Sequence, residues 1–236
     1  MGAIVHRGAQ SSGGMAVRCS NLGKEFGPQV VLGCVNFEVA PGEFVAITGP
    51  SGCGKSTLLN VVSGLASPTQ GKVFLDTEDL FALSLPQRDA LRLSSLGFVF
   101  QFFHLLPTLT VLENVCLPAF EKWSHKDKRK EAARRAAEVL DRVGLSGHTS
   151  KFPSELSGGM QSRVGFARAV VLQPRLLLAD EPTGSLDQAN GQLLLDLLQE
   201  HQAASGCTVI MVTHDAGAAR RAHRRVRMMD GNIVET

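Results

Sequence analysis

Lys55 and Ser56 close the run Gly49-Pro50-Ser51-Gly52-Cys53-Gly54-Lys55-Ser56, a full match to G-x-x-x-x-G-K-[ST], the spacing of a phosphate-holding loop. Gly49, Gly52 and Gly54 let successive backbone N–H groups converge on phosphate oxygens. A helix starting at Lys55 would aim its positive end at the same point. The lysine then suits a bridge between β- and γ-phosphates, and the serine hydroxyl suits a Mg²⁺ ion. More than a hundred residues on, the apolar run Leu176-Leu177-Leu178-Ala179 leads directly into Asp180-Glu181. Asp180 fits the metal, through water, and Glu181 fits a general base that orients an attacking water. Gln101 and His214 also follow short apolar runs. His214 is suited to contact a γ-phosphate, and Gln101 to reach the metal or the water. The chemistry these types and spacings describe is hydrolysis of a nucleoside triphosphate.

Such residues must be brought to one place, and the intervening sequence reads as the elements that do so. Val17 to Ala40 alternates short apolar runs with turns, as antiparallel strands would. Phe44 to Thr48 is a strand entering the glycine loop, and Lys55 to Val62 is the helix leaving it. Gly71 to Leu75 and Leu96 to Phe100 are further strands. Lys128 to Val143 is helical, with Ala132, Ala136, Val139 and Val143 on one face and Gly144 as its cap. Leu156-Ser157-Gly158-Gly159 reads as a turn followed by a helix from Met160 to Leu172. Leu176 to Ala179 is too short for a helix and wholly apolar, as a strand covered on both faces must be. A helix over Leu193 to Gln202 and a strand over Thr208 to Val212 complete the order. The expectation is an α/β fold: a mixed sheet core around the loop, an antiparallel β subdomain, and an inserted α-helical subdomain over about 102–160.

Composition excludes more than it selects. The net charge of +2 on 236 residues makes no case for nucleic acid. Five scattered cysteines form no C-x-x-C pair, which argues against a disulfide framework or a zinc site and for a reducing compartment. No apolar run approaches the roughly 18 to 20 residues that span a bilayer, and no signal-peptide core is evident, so a membrane role must come through a partner. Residues 1–14 read as a disordered tail, leaving 15–236 as the folded domain. Met1-Gly2 falls short of a myristoylation site because His6 stands where serine or threonine is wanted. Lys122 to Arg135 reads as a solvated helical face. Arg220 to Arg227 reads as a solvated helix and strand edge, with anionic lipid or an acidic partner as the alternative.

From Val17 to Val234 the chain resembles the nucleotide-binding subunit of an ATP-binding cassette (ABC) transporter, a P-loop NTPase. Phe98-Val99-Phe100-Gln101 is similar to that family's Q-loop, Leu156-Ser157-Gly158-Gly159 to its signature, with Met160 and Gln161 following, and Ser185-Leu186-Asp187 to its D-loop. His214 matches its switch histidine. The resemblance implies ATP with Mg²⁺ held by Ser56, Asp180 and Gln101, and ATP contacts from Gly49 through Ser56, Thr57 and an aromatic ring at Phe26. It also implies a homodimer stacked head to tail, each ATP lying between one subunit's Lys55 loop and the other's signature. Phe26 stands where the family usually has tyrosine, and should keep the stacking. Met160 and Ser162 replace common glutamines, which puts the detail of the dimer contacts in doubt. Gln101-Phe102-Phe103-His104-Leu105-Leu106-Pro107-Thr108-Leu109-Thr110, Leu112-Glu113-Asn114-Val115 and Leu178-Ala179-Asp180-Glu181-Pro182-Thr183-Gly184 resemble the lipoprotein-release and macrolide-export branch. That branch pairs with an integral-membrane permease carrying a large extracytoplasmic domain, which would set this chain peripherally on the cytoplasmic face of the inner membrane. Phe102, Phe103, Leu105 and Leu106 are then candidates for the docking groove. Two other readings stand: a regulatory cassette acting on an envelope enzyme through its permease, and a non-transport ABC protein of DNA repair or translation. Cys53, inside the loop, reads first as a small residue tolerated at a variable position, with thiol-reagent inactivation that ATP prevents still expected.

Overall fold

The computed structural model describes residues 13–122 and 126–235. The tail expected over residues 1–14 lies outside the described residues as far as 12. Gly13 and Gly14 are tied to the body: their carbonyls accept from Arg175 at 3.2 and 2.8 Å, and the Arg175 guanidinium also pairs with Asp76 at 2.6 Å.

Two sheets organise the chain. Strands β1 (Val17–Phe26), β2 (Gln29–Val39), β4 (Gln70–Leu75) and β5 (Glu78–Asp79) form an antiparallel sheet in the order β2-β1-β4-β5. The second sheet runs β10 (Asn232–Glu235), β9 (Arg224–Met229), β3 (Phe44–Thr48), β8 (Thr208–Thr213), β7 (Leu176–Asp180), β6 (Leu96–Phe100). Its pairs are parallel from β9 through β6, and β10 closes it antiparallel. The expected mixed core and antiparallel subdomain are therefore present. Strand β9 lies inside the sheet, between β3 and β10, where the sequence suggested an edge.

Strand period divides the core into two layers. Phe44, Ala46, Leu177, Ala179, Val209 and Met211 face one side, toward α3 (Val111–Lys122), α4 (Lys126–Arg142), α5 (Gly158–Val170) and α6 (Gln188–Ser205). Val45, Ile47, Leu176, Leu178, Ile210 and Val212 face the other, toward α1 (Lys55–Val62) and the antiparallel sheet. Both faces of β7 and β8 are thus covered, which is why neither shows the polar alternation of a half-exposed strand. At about 25 cal/mol per Å² of apolar surface removed from water, each such side chain contributes roughly 1.5–3 kcal/mol. A one-residue slip would exchange the two layers.

Helix α4 buries Ala132, Ala136, Leu140 and Val143. Leu140 takes the central place expected of Val139, which is only partly buried. Gly144 caps the helix at φ +71, and Leu145 N–H reaches back to the Leu140 carbonyl at 2.8 Å. On the solvated face Arg134 and Arg135 pair with Glu131, and Arg134 also with Glu138, one turn away. Arg221 pairs with Asp196 at 2.9 Å and Arg224 with Glu43 at 2.6 Å, so two of the five arginines of the second basic stretch are spent on internal ion pairs. Helix α2 (Leu85–Ser95) is not in the sequence reading. A capping box from Ser84 and Gln87 starts it, and its strongly polar composition hid its apolar stripe.

His201 of α6 lies edge-on to Phe166 of α5, with centroids 6.0 Å apart, and its Nε2 is buried without a partner. Burial, and then the Arg142 charge, hold its pKa below the ordinary 6.5. The unfolded chain therefore binds a proton that the native state refuses. His201 leaves stability undiminished above about pH 6.5 and lowers it as pH falls toward the depressed value. Urea unfolding at pH 7.5 and 5.5 should show a smaller acid loss for His201→Phe than for the parent; equal losses would exclude the effect.

Candidate functional site

Parallel register brings the separated motifs to one edge. Thr48 lies opposite Thr213, Val212 opposite Asp180, and Asp180 opposite Phe100. The chain leaves these four strands at Gly49, His214, Glu181 and Gln101, side by side at the carboxyl ends, where α/β sheets build their ligand sites.

The glycine loop wraps the start of α1. Gly52 and Gly54 sit at φ +80 and +100, and a β-carbon on Gly54 would come within 2.8 Å of the Val31 carbonyl, so both glycines are required by geometry. Pro50, Ser51 and Gly52 are exposed at the loop's crest, with Ser56 exposed and Thr57 half-buried below it. Lys55 is only 6% exposed, and its ammonium donates to the Gly49 and Pro50 carbonyls, each at 2.9 Å. The cation is thereby curled into the hollow of its own loop. The Ser56 hydroxyl donates to Asp180 Oδ1 at 2.9 Å. Burial raises the Asp180 pKa, an effect that the Ser56 bond opposes and the neighbouring Glu181 reinforces. A half-buried carboxylate beside a hydroxyl, with like charge adjacent, suits the oxygen-rich coordination of Mg²⁺ and would be relieved by it. Among the described residues no cluster of three or more His, Cys, Asp or Glu competes for a metal.

Cys53 departs from expectation. Its side chain is 5% exposed and packs with Leu58, Val226 and Met228 in the layer beneath the loop. The thiol points into the body, and a thiol reagent aimed at the phosphate hollow does not meet it.

Glu181 occupies left-handed backbone space at φ +45, unusual for a residue with a side chain and costing about 1 kcal/mol. The Val212 carbonyl accepts from its N–H at 3.0 Å, and Gly184 N–H returns to its carbonyl at 3.0 Å. Its Oε2 accepts from His214 N–H at 3.2 Å and lies 2.9 Å from His214 Nδ1. The base candidate and the histidine are thus already paired. Ser185 Oγ donates to the Gln101 carbonyl at 2.6 Å, so the D-loop candidate braces the Q-loop candidate. Leu186 is partly buried against the core, and Asp187 caps α6 by accepting from Asn190 N–H at 2.9 Å and from the Asn190 side-chain amide at 2.6 Å.

The signature stretch is not a turn before a helix: it is the helix start. Ser157 is the N-cap of α5, accepting from Met160 N–H at 3.3 Å, and Gly158 and Gly159 form its first turn. Leu156 is buried, Met160 packs partly against the core, and Gln161 donates to the Pro153 and Leu156 carbonyls. The two glycines differ. Nothing lies within 4 Å of a β-carbon on Gly158, whereas one on Gly159 would overlap the Asn190 side-chain oxygen outright. Gly158 leaves an amide face open; Gly159 lets the starts of α5 and α6 touch.

Phe26 is 54% exposed at the end of β1, with Lys24 Nζ 4.7 Å from its ring centre. It is not a core phenylalanine, and a flat ring could stack on it. Phe102 and Leu106 are 69% and 46% exposed, and Phe103 and Leu105 are half-buried. Sequence reasoning passes over two residues that fix this loop and a third that joins the starts of α5 and α6. Arg168 of α5 donates to the Phe103 and His104 carbonyls, each at 2.6 Å, where both residues have positive φ. Asn114, named only within a motif, is fully buried; it accepts from Leu106 N–H and donates to the carbonyls of Leu106, Leu109 and Thr110. Asn190 is the third. No periodicity marks Arg168 and Asn114, because their partners are backbone atoms outside their own helices. Gly158→Ala should leave urea-unfolding stability unchanged or slightly raised, while Gly159→Ala should be less stable than it by about 1–3 kcal/mol; equal stabilities would contradict the packing role.

Comparison with known proteins agrees with this geometry. The family described as "ABC transporter" matches residues 32–184. The chain is 47% identical over 221 residues to the "Lipoprotein-releasing system ATP-binding protein LolD" of Pseudomonas syringae pv. tomato, covering 92% of this chain and 96% of the relative. It is also 47% identical over 213 residues to the "Uncharacterized ABC transporter ATP-binding protein YvrO" of Bacillus subtilis, covering 90% of each. Among solved structures it is similar to "Dimeric Structure of MJ0796, a Bacterial ABC Transporter Cassette", at a TM-score of 0.85 and 39% identity over 92% of this chain and 96% of that one. A second MJ0796 structure, of "a post-hydrolysis state of the ATP-binding cassette MJ0796 bound to ADP and Pi", matches at 0.79 and 38% over the same shares. With loop, acidic strand end and capped signature helix assembled on one sheet, the chain belongs to the ABC transporter family and is an ATP-binding cassette ATPase.

Proposed function

We propose that this cassette powers an integral-membrane permease of the lipoprotein-release type by closing head to tail on ATP. The observation that carries the closure is the open amide face at Ser157 and Gly158. The capping hydroxyl accepts from Met160 N–H of α5, and among the described residues nothing lies within 4 Å of where a Gly158 β-carbon would stand. A helix start with free N–H groups is an anion site, and in a head-to-tail pair its anion would be the γ-phosphate held by the partner's Lys55 loop. The dimeric MJ0796 cassette supports a two-subunit assembly. The LolD-named relatives, at 45–47% identity, support the lipoprotein-release type.

In this reading Lys55 leaves the Gly49 and Pro50 carbonyls for the β- and γ-phosphates, and Phe26 stacks on adenine. Ser56 and Asp180, with Gln101, would hold Mg²⁺, which supplies charge neutralisation at the phosphates. Glu181 takes the proton of the attacking water, and His214, released from Glu181 Oε2, donates to the γ-phosphate oxygen. The D-loop residues Ser185 to Asp187 line the seam between subunits. Phe102 and Leu106, exposed beside Gln101, would carry the motion to the permease. No helix among the described residues is long and apolar enough to cross a membrane. A peripheral place on the cytoplasmic face of the inner membrane, against a permease with an extracytoplasmic domain, completes the proposal. The equal likeness to YvrO, named only as an ABC transporter ATP-binding protein, favours a second reading, the ATP-binding subunit of a transporter of other cargo.

Glu181→Gln should lower turnover at least about 100-fold, the contribution of a general base, and accumulate an ATP-bound dimer by light scattering; a monomer in saturating ATP would defeat the closure. Ser157→Arg should abolish that dimer while nucleotide binding to the monomer persists. Loss of monomer binding would place the signature in the wrong site. Pull-down from detergent-solubilised membranes tests the cargo reading. A lipoprotein-release permease is expected; ribosomes, DNA or a cell-wall hydrolase complex would overturn it.

A further inference from the structure

Asn190 joins two parts of the subunit that the proposed function assigns to different nucleotides. Its backbone N–H and side-chain amide occupy both oxygens of the Asp187 carboxylate, at 2.9 and 2.6 Å. These bonds hold the Asp187 pKa below the usual carboxylate range, so the acceptor stays ionised. The same amide lies flat against Gly159, where a β-carbon would overlap its oxygen and its Cγ and come within 2.8 Å of its nitrogen. Gly159 is in turn a fixed point of α5. Its carbonyl accepts from Ser162 Oγ at 2.9 Å and from Arg163 Nε at 3.2 Å, and Arg163 also donates to the Val143 carbonyl at the end of α4. On its other side Asp187 continues through Leu186 to Ser185, whose hydroxyl holds the Gln101 carbonyl, and through Gly184, whose N–H holds the Glu181 carbonyl.

We propose that Asn190 is a positioning residue that locks the signature helix to the D-loop, so that nucleotide engaged at Gln101 and Glu181 of one site sets the orientation of Ser157 and Gly158 toward the other site. The inference rests on the head-to-tail closure above. Its physical basis is the one small side chain that is hydrogen-bonded to the α6 cap and seated on the α5 start. If the clasp opens, α5 can pivot with the helical insert while the D-loop stays with the sheet. Coupling of this kind is typically worth about 5- to 150-fold in an equilibrium.

The experiment uses the full chain with Glu181→Gln as the parent, since it retains ATP. Asn190→Ala removes both the amide and its volume; Asn190→Leu keeps the volume and removes the bond to Asp187. Neither disturbs the helix cap, because the backbone N–H of residue 190 remains. Thermal unfolding, binding of a fluorescent ATP analogue to dilute monomer, and the ATP concentration for half-maximal dimerisation are measured for each. The expected result is unchanged monomer binding and a Tm within about 2 °C of the parent, with the half-maximal ATP concentration raised about fivefold or more in both variants. Dimerisation at the parent's ATP concentration in either variant overturns the inference, as does a deficit that vanishes on cooling in step with recovered stability. A parent that stays monomeric overturns the head-to-tail reading and the inference with it, and is distinguished by being seen before any change at Asn190.

Discussion

The parallel register of β3, β8, β7 and β6 is the constraint on which everything else depends. Thr48 against Thr213, Val212 against Asp180 and Asp180 against Phe100 leave four motifs at one edge of the sheet, although Gly49 and His214 lie far apart in the chain. What holds this register is burial on two faces at once. Leu177, Ala179, Val209 and Met211 belong to the layer under the helices; Leu176, Leu178, Ile210 and Val212 belong to the layer under the antiparallel sheet. Sliding one strand by one residue would send each side chain into the wrong layer and move Glu181 or His214 out of reach of the other. The precision of the Glu181–His214 pair, at 2.9 Å, follows from packing well below it.

The helical part is attached differently. It meets the sheet through α5 and is stitched to the ligand edge by a few polar side chains aimed at backbone: Arg168 to the carbonyls of Phe103 and His104, Asn114 to the loop 106–110, and Arg163 to the end of α4. Burial depresses the Arg168 pKa, and its guanidinium spends two donors on these carbonyls. Such bonds are directional, so the segment from Gln101 to Leu106 can carry exposed Phe102 without collapsing onto the core. The insert shares the apolar layer under the sheet, and these directional bonds add the orientation of its loop against the ligand edge.

The contrast shows in what could be read from the sequence. The glycine loop, the strand before Asp180 and the helix at Lys55 were legible because period, glycine spacing and a final carboxylate are local marks. Helix α5 was placed two residues late, since two glycines after a serine resemble a turn until the cap is seen. Helix α2 was missed because its composition is polar, and β9 was assigned an edge because its arginines suggest solvent. Val226 and Met228, alternating with those arginines, in fact face the core. Thiol-reagent sensitivity is expected of Cys53 from its place in the loop, but direction is a tertiary property, and it packs beneath.

The sequence by itself determined the family, the fold class and the candidate site residues, because each rests on a short run of residues whose spacing is a local matter of backbone reach. Only the tertiary structure decided which neighbours each group has. It paired Glu181 with His214, curled Lys55 onto its own loop, turned Cys53 inward, and separated the open Gly158 from the packed Gly159. Those outcomes depend on contacts between segments distant in the chain. The physical reason is that a side chain's direction and partners are set by the packing of whole layers, which no window of neighbouring residues contains.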